Sequence, residues 1–171
     1  MARHPILTAP DPRLKRKALP VPAVTPEVRR LMDDMMETMY HAQGIGLAAP
    51  QIGVNQRVIV VDVEYSKNDG QRHPICLANP EILQKHGEFI YNEGCLSVPE
   101  HTAEVTRAAL IQIKGLDYEN KEISFAADEL TAVCFQHEID HLDGILFIDH
   151  LSRLKRGIIL QKLKKKKQNG E

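Results

Sequence analysis

The feature that most constrains this chain is the segment His137-Glu138-Ile139-Asp140-His141, which lies where apolar residues recur with a helical period. On an α-helix, positions four apart sit about 40° apart around the axis and about 6 Å along it, so both imidazoles can grip one ion. Two surface histidines that happen to be four apart would show the same spacing; if they bind an ion, another segment has to complete the centre. Glu138 falls about 60° from His141 on the same turn, beside the ion without being forced onto it. That placement suits a base acting on a water at the ion.

A catalytic site needs a third protein ligand and one open position. Downstream the sequence follows the H-E-x-x-H-x-x-G-x-x-H pattern of metzincin proteases until its last position, where Phe147 replaces histidine. The only later glutamate is Glu171, at the chain end, so the third ligand is expected upstream, where three thiols compete. Cys134 lies seven residues before His141, roughly 10.5 Å along a helix, too far to share the ion with both histidines. It reads as core or as a wall of a nearby pocket. Cys76 is flanked by Ile75 and Leu77 and reads as an ordinary buried thiol. Cys95, in Glu93-Gly94-Cys95-Leu96-Ser97, has a glycine that permits close backbone approach and polar neighbours that can orient a thiolate, and is the best placed of the three.

A run of small residues, Gly44-Ile45-Gly46-Leu47-Ala48-Ala49-Pro50-Gln51-Ile52-Gly53, stands out upstream. It lacks the Gly-Lys-Ser/Thr of a P-loop and follows a helix instead of a strand, so phosphate and dinucleotide binding are disfavoured. Two readings stay open: a tight helix-to-strand connection, or a wall of backbone hydrogen-bonding groups for an extended substrate, with Gln51 offering an amide donor.

At 171 residues, 43% hydrophobic and 26% charged, the chain can bury about 70% of its extended surface in one core. Its 22 Lys and Arg against 23 Asp and Glu leave a net charge of -1, with no overall field for DNA or an anionic membrane. No apolar run approaches the length of about 20 needed to span a bilayer, no secretory signal is evident, and the cytoplasm is the expected compartment. Five of the ten prolines fall within residues 1–24, which read as an arm lying over the domain. Thr25-Pro26 signals a helix start, Val28, Leu31, Met32, Met35, Met36 and Met39 form its core stripe, and Gly44 is the expected stop. Residues 57–63 read as a buried strand, 66–72 as a polar turn and 110–125 as a hairpin. Asp128 is expected to cap a helix running to about Asp143, ended by Gly144. A last helix runs from Leu151 to about Leu163, with 162–171 expected as a flexible basic tail. Mixed helices and strands without βαβ alternation indicate one α+β domain over 1–171.

Gly44 to Gln51, Glu93 to Ser97 and Gln136 to His141 together resemble the three signature motifs of the peptide deformylase family, in the family's order. The likeness extends from Asp11-Pro12-Arg13-Leu14 to Ile148-Asp149-His150-Leu151 and leaves out only the lysine-rich end. It implies antiparallel sheets around a central metal-binding helix, with a further helix at the C-terminus. It also implies hydrolysis of the N-formyl group of N-formylmethionyl nascent peptides, with release of formate. One divalent ion would be held by Cys95, His137 and His141, as Fe²⁺ in the cell, with Zn²⁺, Ni²⁺ or Co²⁺ as substitutes. Glu138 would be the general base, and Gln51 and the Leu96 backbone N–H would hold the oxyanion. The substrate would lie against Gly44, Ile45, Gly46, Glu93, Gly94, Val133, Cys134 and His137, with Ile45, Val133, Cys134 and His137 forming the methionine pocket. Arg107 matches a residue that pairs with Glu93 as a strut behind the site. Two rival readings are a zinc peptidase and a closed structural metal site. The basic stretch Lys162 to Lys167, with Lys155 and Arg156, is either a solvated tail or a contact for ribosomal RNA.

Overall fold

The computed structural model describes residues 2–65, 67 and 69–170. The Thr25 hydroxyl accepts from the Val28 amide and Pro26 opens helix α1 (Pro26–His41), as the sequence signalled. Met32, Met35 and Met39 are fully buried and pack with Leu47, Val58 and Val60, so the methionine stripe is core. The helix stops at His41, ahead of the expected Gly44. Gln43 takes the left-handed conformation (φ 60°) and the Gly44 amide turns back to the Met39 carbonyl at 3.0 Å.

Among the described residues seven strands follow: β1 (Gly46–Ala48), β2 (Val58–Val61), β3 (Ile75–His86), β4 (Phe89–Cys95), β5 (Val98–Arg107), β6 (Leu110–Leu116) and β7 (Glu122–Asp128). Every pairing is antiparallel, giving a five-stranded sheet in the order β1-β2-β3-β6-β7 and a separate β4-β5 hairpin. The strand expected over 57–63 is shorter at both ends, for reasons of polar pairing. Arg57 leaves it to donate to the Leu142 carbonyl, and the buried Asp62 carboxylate accepts from the Tyr40 hydroxyl at 2.7 Å and the His73 amide at 2.9 Å. The β6-β7 hairpin forms as expected, its turn held by Asp117, which accepts from the Glu119 and Lys121 amides. Of the polar turn expected at 66–72, positions 66 and 68 lie outside the described residues.

Helix α2 (Glu129–Leu142) packs against β1, β2, β6 and β7 of the large sheet and against β4 of the hairpin, with ten of its residues buried. Asp128 precedes it without a side-chain capping bond, which corrects that expectation. Glu129 enters the helix at φ 48° and its amide is satisfied by the Ala109 carbonyl instead. At the other end the Ala18 amide and Arg57 guanidinium both donate to the Leu142 carbonyl, so the N-terminal arm caps this helix. Gly144 ends it at φ 74° as expected. Helix α3 (Arg153–Gln168) begins two residues later than expected, because Ser152 caps it by accepting from the Lys155 amide. The expected tail is corrected as well: the helix continues to Gln168. Leu163 is buried there beside Leu146 and Phe147, and Lys166 reaches Glu100 at 2.9 Å. Among the described residues no helix is long and apolar enough to cross a membrane.

Candidate metal centre

Cys95 ends β4 at a register slip, the strand pairing passing from Gly94↔Thr102 to Cys95↔Val98 around a tight turn. This aims its thiol at α2. The ligating atoms of Cys95, His137 and His141 all lie within 4.8 Å of one another. Cys95 Sγ is 3.3 Å from His141 Nε2, which is 3.2 Å from His137 Nε2. His137 Nδ1–H donates to Glu93 Oε1 at 2.8 Å, which leaves the Nε2 lone pair facing the other two ligand atoms. Burial holds His141 well below the usual imidazole range, which favours the neutral form that binds metal. Among the described residues, Glu138 Oε1 and His141 Nδ1 are the buried side-chain polar atoms without a hydrogen-bond partner. One thiol sulfur and two imidazole nitrogens brought this close together fit a resident divalent ion.

The atoms around this centre are themselves held. Arg107 grips Glu93 through Nε (2.8 Å) and Nη2 (3.0 Å), both side chains being at most 5% exposed. Burial alone would raise the Glu93 carboxyl, but the hydrogen bonds from His137 and Arg107 outweigh it and keep Glu93 ionised. The expected strut is therefore present. Gln51 accepts from the Ala48 amide at 2.9 Å, and its Nε2 donates to Ser97 Oγ at 3.0 Å with Cys95 Sγ 3.6 Å away. The Ser97 amide also points at that sulfur, at 3.4 Å.

Glu138 has a different setting. Burial pushes its carboxyl up to about 7, against the lowering influence of His137. Gly46 makes room for it: a Cβ there would stand 2.5 Å from Glu138 Oε2 and 2.8 Å from Cys134 Sγ. A cavity of about 640 Å³ opens in front of Glu138, between the Gly44–Gly46 backbone, β4, the 96–102 segment and α2. All eight substrate-binding candidates from the sequence line it, as do Gln51, Cys95, Leu96 and Glu138, whereas His141 stands behind them. Cys134 is both core and wall, and Cys76 is a buried thiol in β3, far from the ligand cluster. Sequence reasoning missed Leu130, one helical turn before Cys134 and legible from that spacing, and Tyr91, Asn92 and His101, which become visible only once β4 and β5 are known.

Among the described residues three ligand atoms converge, not four, and a buried carboxylate stands next to them at an open cavity. A closed structural site would show neither property. The chain is, by class, a metal-dependent hydrolase. It belongs to the polypeptide deformylase family, whose profile matches residues 3–157. It is 54% identical over 167 residues to the peptide deformylase of Methylocella silvestris, covering 96% of this chain and 85% of that one. The peptide deformylase of Alkalilimnicola ehrlichii is 53% identical, with 99% and 94% covered. Among solved structures, a peptide deformylase from Legionella pneumophila superimposes with a TM-score of 0.90 at 44% identity, covering 99% and 98% of the two chains. That of Ehrlichia chaffeensis in complex with actinonin gives 0.91 at 40% identity, covering 97% and 98%.

Proposed function

We propose that this chain removes the N-formyl group from the N-terminal formylmethionine of nascent polypeptides and releases formate. The observation that carries the reading is the buried carboxylate of Glu138, one oxygen of it partnerless, in the wall of a cavity that Cys95 and His137 also line, with His141 beside them. These three residues would hold one divalent ion, Fe²⁺ in the cell, with Zn²⁺, Ni²⁺ or Co²⁺ able to replace it, since a thiolate and two imidazoles suit all four. When bound, the ion acidifies the attacking water and draws charge from the formyl oxygen.

The remaining work falls to the chain's own groups. Glu138, pushed up to about 7, takes the proton of the attacking water and passes it to the departing amine, a two-way role suited to near-neutral pH. The Gln51 amide and the Leu96 backbone N–H receive the developing oxyanion, donors of this kind being worth about 3–4 kcal/mol each. A formyl carbon bears only hydrogen, so a tight oxyanion site excludes acetyl groups by clash. The methionine side chain lies against Ile45, Leu130, Val133 and Cys134. On this reading the protein works in the cytoplasm. Its lysines on α3 meet ribosomal RNA, held out on a helix that Leu163 anchors. Reversing Lys162, Lys164 and Lys165 to Glu, which spares Leu163, abolishes ribosome co-sedimentation if that contact exists; unchanged co-sedimentation removes it.

The deciding experiment measures formate release from a formylmethionyl peptide by anaerobically purified protein, beside Glu138→Ala. Formate is expected from the wild type and not from a variant that still holds one metal per chain. A fully metallated wild type that releases none, or that cleaves an unformylated peptide internally, overturns the reading in favour of a peptidase.

A further inference from the structure

An unbroken line of ionic hydrogen bonds leads from the ligand His137 to the protein surface. His137 Nδ1 donates to Glu93, both oxygens of Glu93 accept from Arg107, and Arg107 Nη1 donates onward to Asp140 Oδ2 at 2.5 Å. The same Asp140 oxygen accepts from His150 Nε2 at 2.8 Å. His150 closes the turn Phe147–His150, and its side chain is 39% exposed. That turn reaches His137 by a second route: the buried Phe147 ring stacks on the imidazole, with centroids 6.2 Å apart and planes 26° apart. Phe147 stands at the position where a metzincin would place its third histidine. Here it serves the first histidine by packing against its face.

We propose that the 147–150 turn positions His137 for the reaction, with Phe147 holding the ring by its face and His150 bracing, from outside, the ionic chain that holds its edge. The argument is one of mechanical freedom. Glu93 Oε1 is shared by Arg107 and His137, so a tilt of the guanidinium displaces the oxygen that orients the ring. Among the described residues, Asp140 is the carboxylate that fixes the guanidinium on its far side, and His150 Nε2 lies 3.4 Å from the same Nη1. Asp140 is 21% exposed, and a carboxylate torsion is soft, so water competes for its rotation. The His150 N–H pins the oxygen that Arg107 uses. His150 is therefore a positioning residue, three hydrogen-bonded groups removed from the ligand it steadies.

The inference rests on the ligand assignment proposed above, and the test separates the two. Co²⁺-loaded wild type, His150→Ala and His150→Gln are compared for the visible absorption band of the ion, its rate of release to a chelator, and kcat and KM on a formylmethionyl peptide. His150→Ala is expected to lower kcat about three- to tenfold and speed Co²⁺ release by a similar factor, less than the loss of about 10- to 100-fold typical of groups that touch a ligand directly. KM stays the same, the band shifts, and His150→Gln, which keeps an N–H donor for Asp140, restores all three readouts. A His150→Ala protein whose band, release rate and kcat match wild type, or whose one change is a lower melting temperature, overturns the proposal. So does a His150→Gln protein as impaired as His150→Ala. Failure of the wild type itself to take up Co²⁺ would instead remove the ligand assignment, and this inference with it.

Discussion

Gly46 shows how a missing side chain can be part of a site. Its α-hydrogen faces Glu138 and Cys134, and a methyl there would overlap the carboxylate whose position the proposed proton transfers require. Gly46→Ala is expected to fold with near-normal circular dichroism and to lose at least about tenfold in kcat, since displacing a reacting group by an ångström can cost about 100-fold. Steady-state kinetics on a formylated peptide checks this, and an unimpaired variant would contradict the geometry. The three thiols make a second prediction. Burial pushes Cys76 up to about 12, and burial together with Glu138 pushes Cys134 well above the ordinary thiol range. Both stay protonated and unreactive at pH 8, where the thiolate is the reactive form. Native, metal-stripped protein treated with iodoacetamide at that pH should carry the label on the half-buried Cys95 alone. Peptide mapping reads the outcome, and equal labelling of Cys76 would contradict its burial.

The two ends of α2 are the elements on which the site leans. A Cβ at Gly144 would stand 2.5 Å from the Lys15 carbonyl oxygen, in addition to the strain of a side chain at φ 74°. Gly144→Ala should therefore destabilise the fold by more than about 1 kcal/mol. Urea denaturation checks it, and an unchanged midpoint would mean that the arm does not press on this helix end. This element also marks the limit of sequence reading. The helix, its two histidines and its stop follow from local spacing, and the β6-β7 turn follows from Tyr118-Glu119-Asn120-Lys121. Strand β4 follows from nothing local. Ile90, which looks like core, is 63% exposed, while Glu93, which looks like surface, is 3% exposed. What buries Glu93 is Arg107 and His137, residues distant in the chain, so neither the strand nor the brace from Asp140 and His150 could be read from its own neighbourhood.

For the molecule as a whole, the proposed ligands come from two parts that share no strand: the β4-β5 hairpin supplies Cys95, and α2, seated on the large sheet, supplies both histidines. An ion held between them ties the parts together. Anything bound only by the native state adds stability in proportion to the logarithm of its concentration, about 2.7 kcal/mol at one hundred times its Kd. Chelation should lower the melting temperature, and titrating Co²⁺ back should raise it progressively. Equal melting of the two forms would show that no such tie exists. The hairpin also carries cavity wall that takes no part in the proposed chemistry. Glu138 and both histidines lie on α2 and Cys95 on the hairpin, where Tyr91, Asn92 and His101 line the same cavity. Substitutions at those three positions would alter which peptides are admitted, while the proposed ligands and base are left as they were.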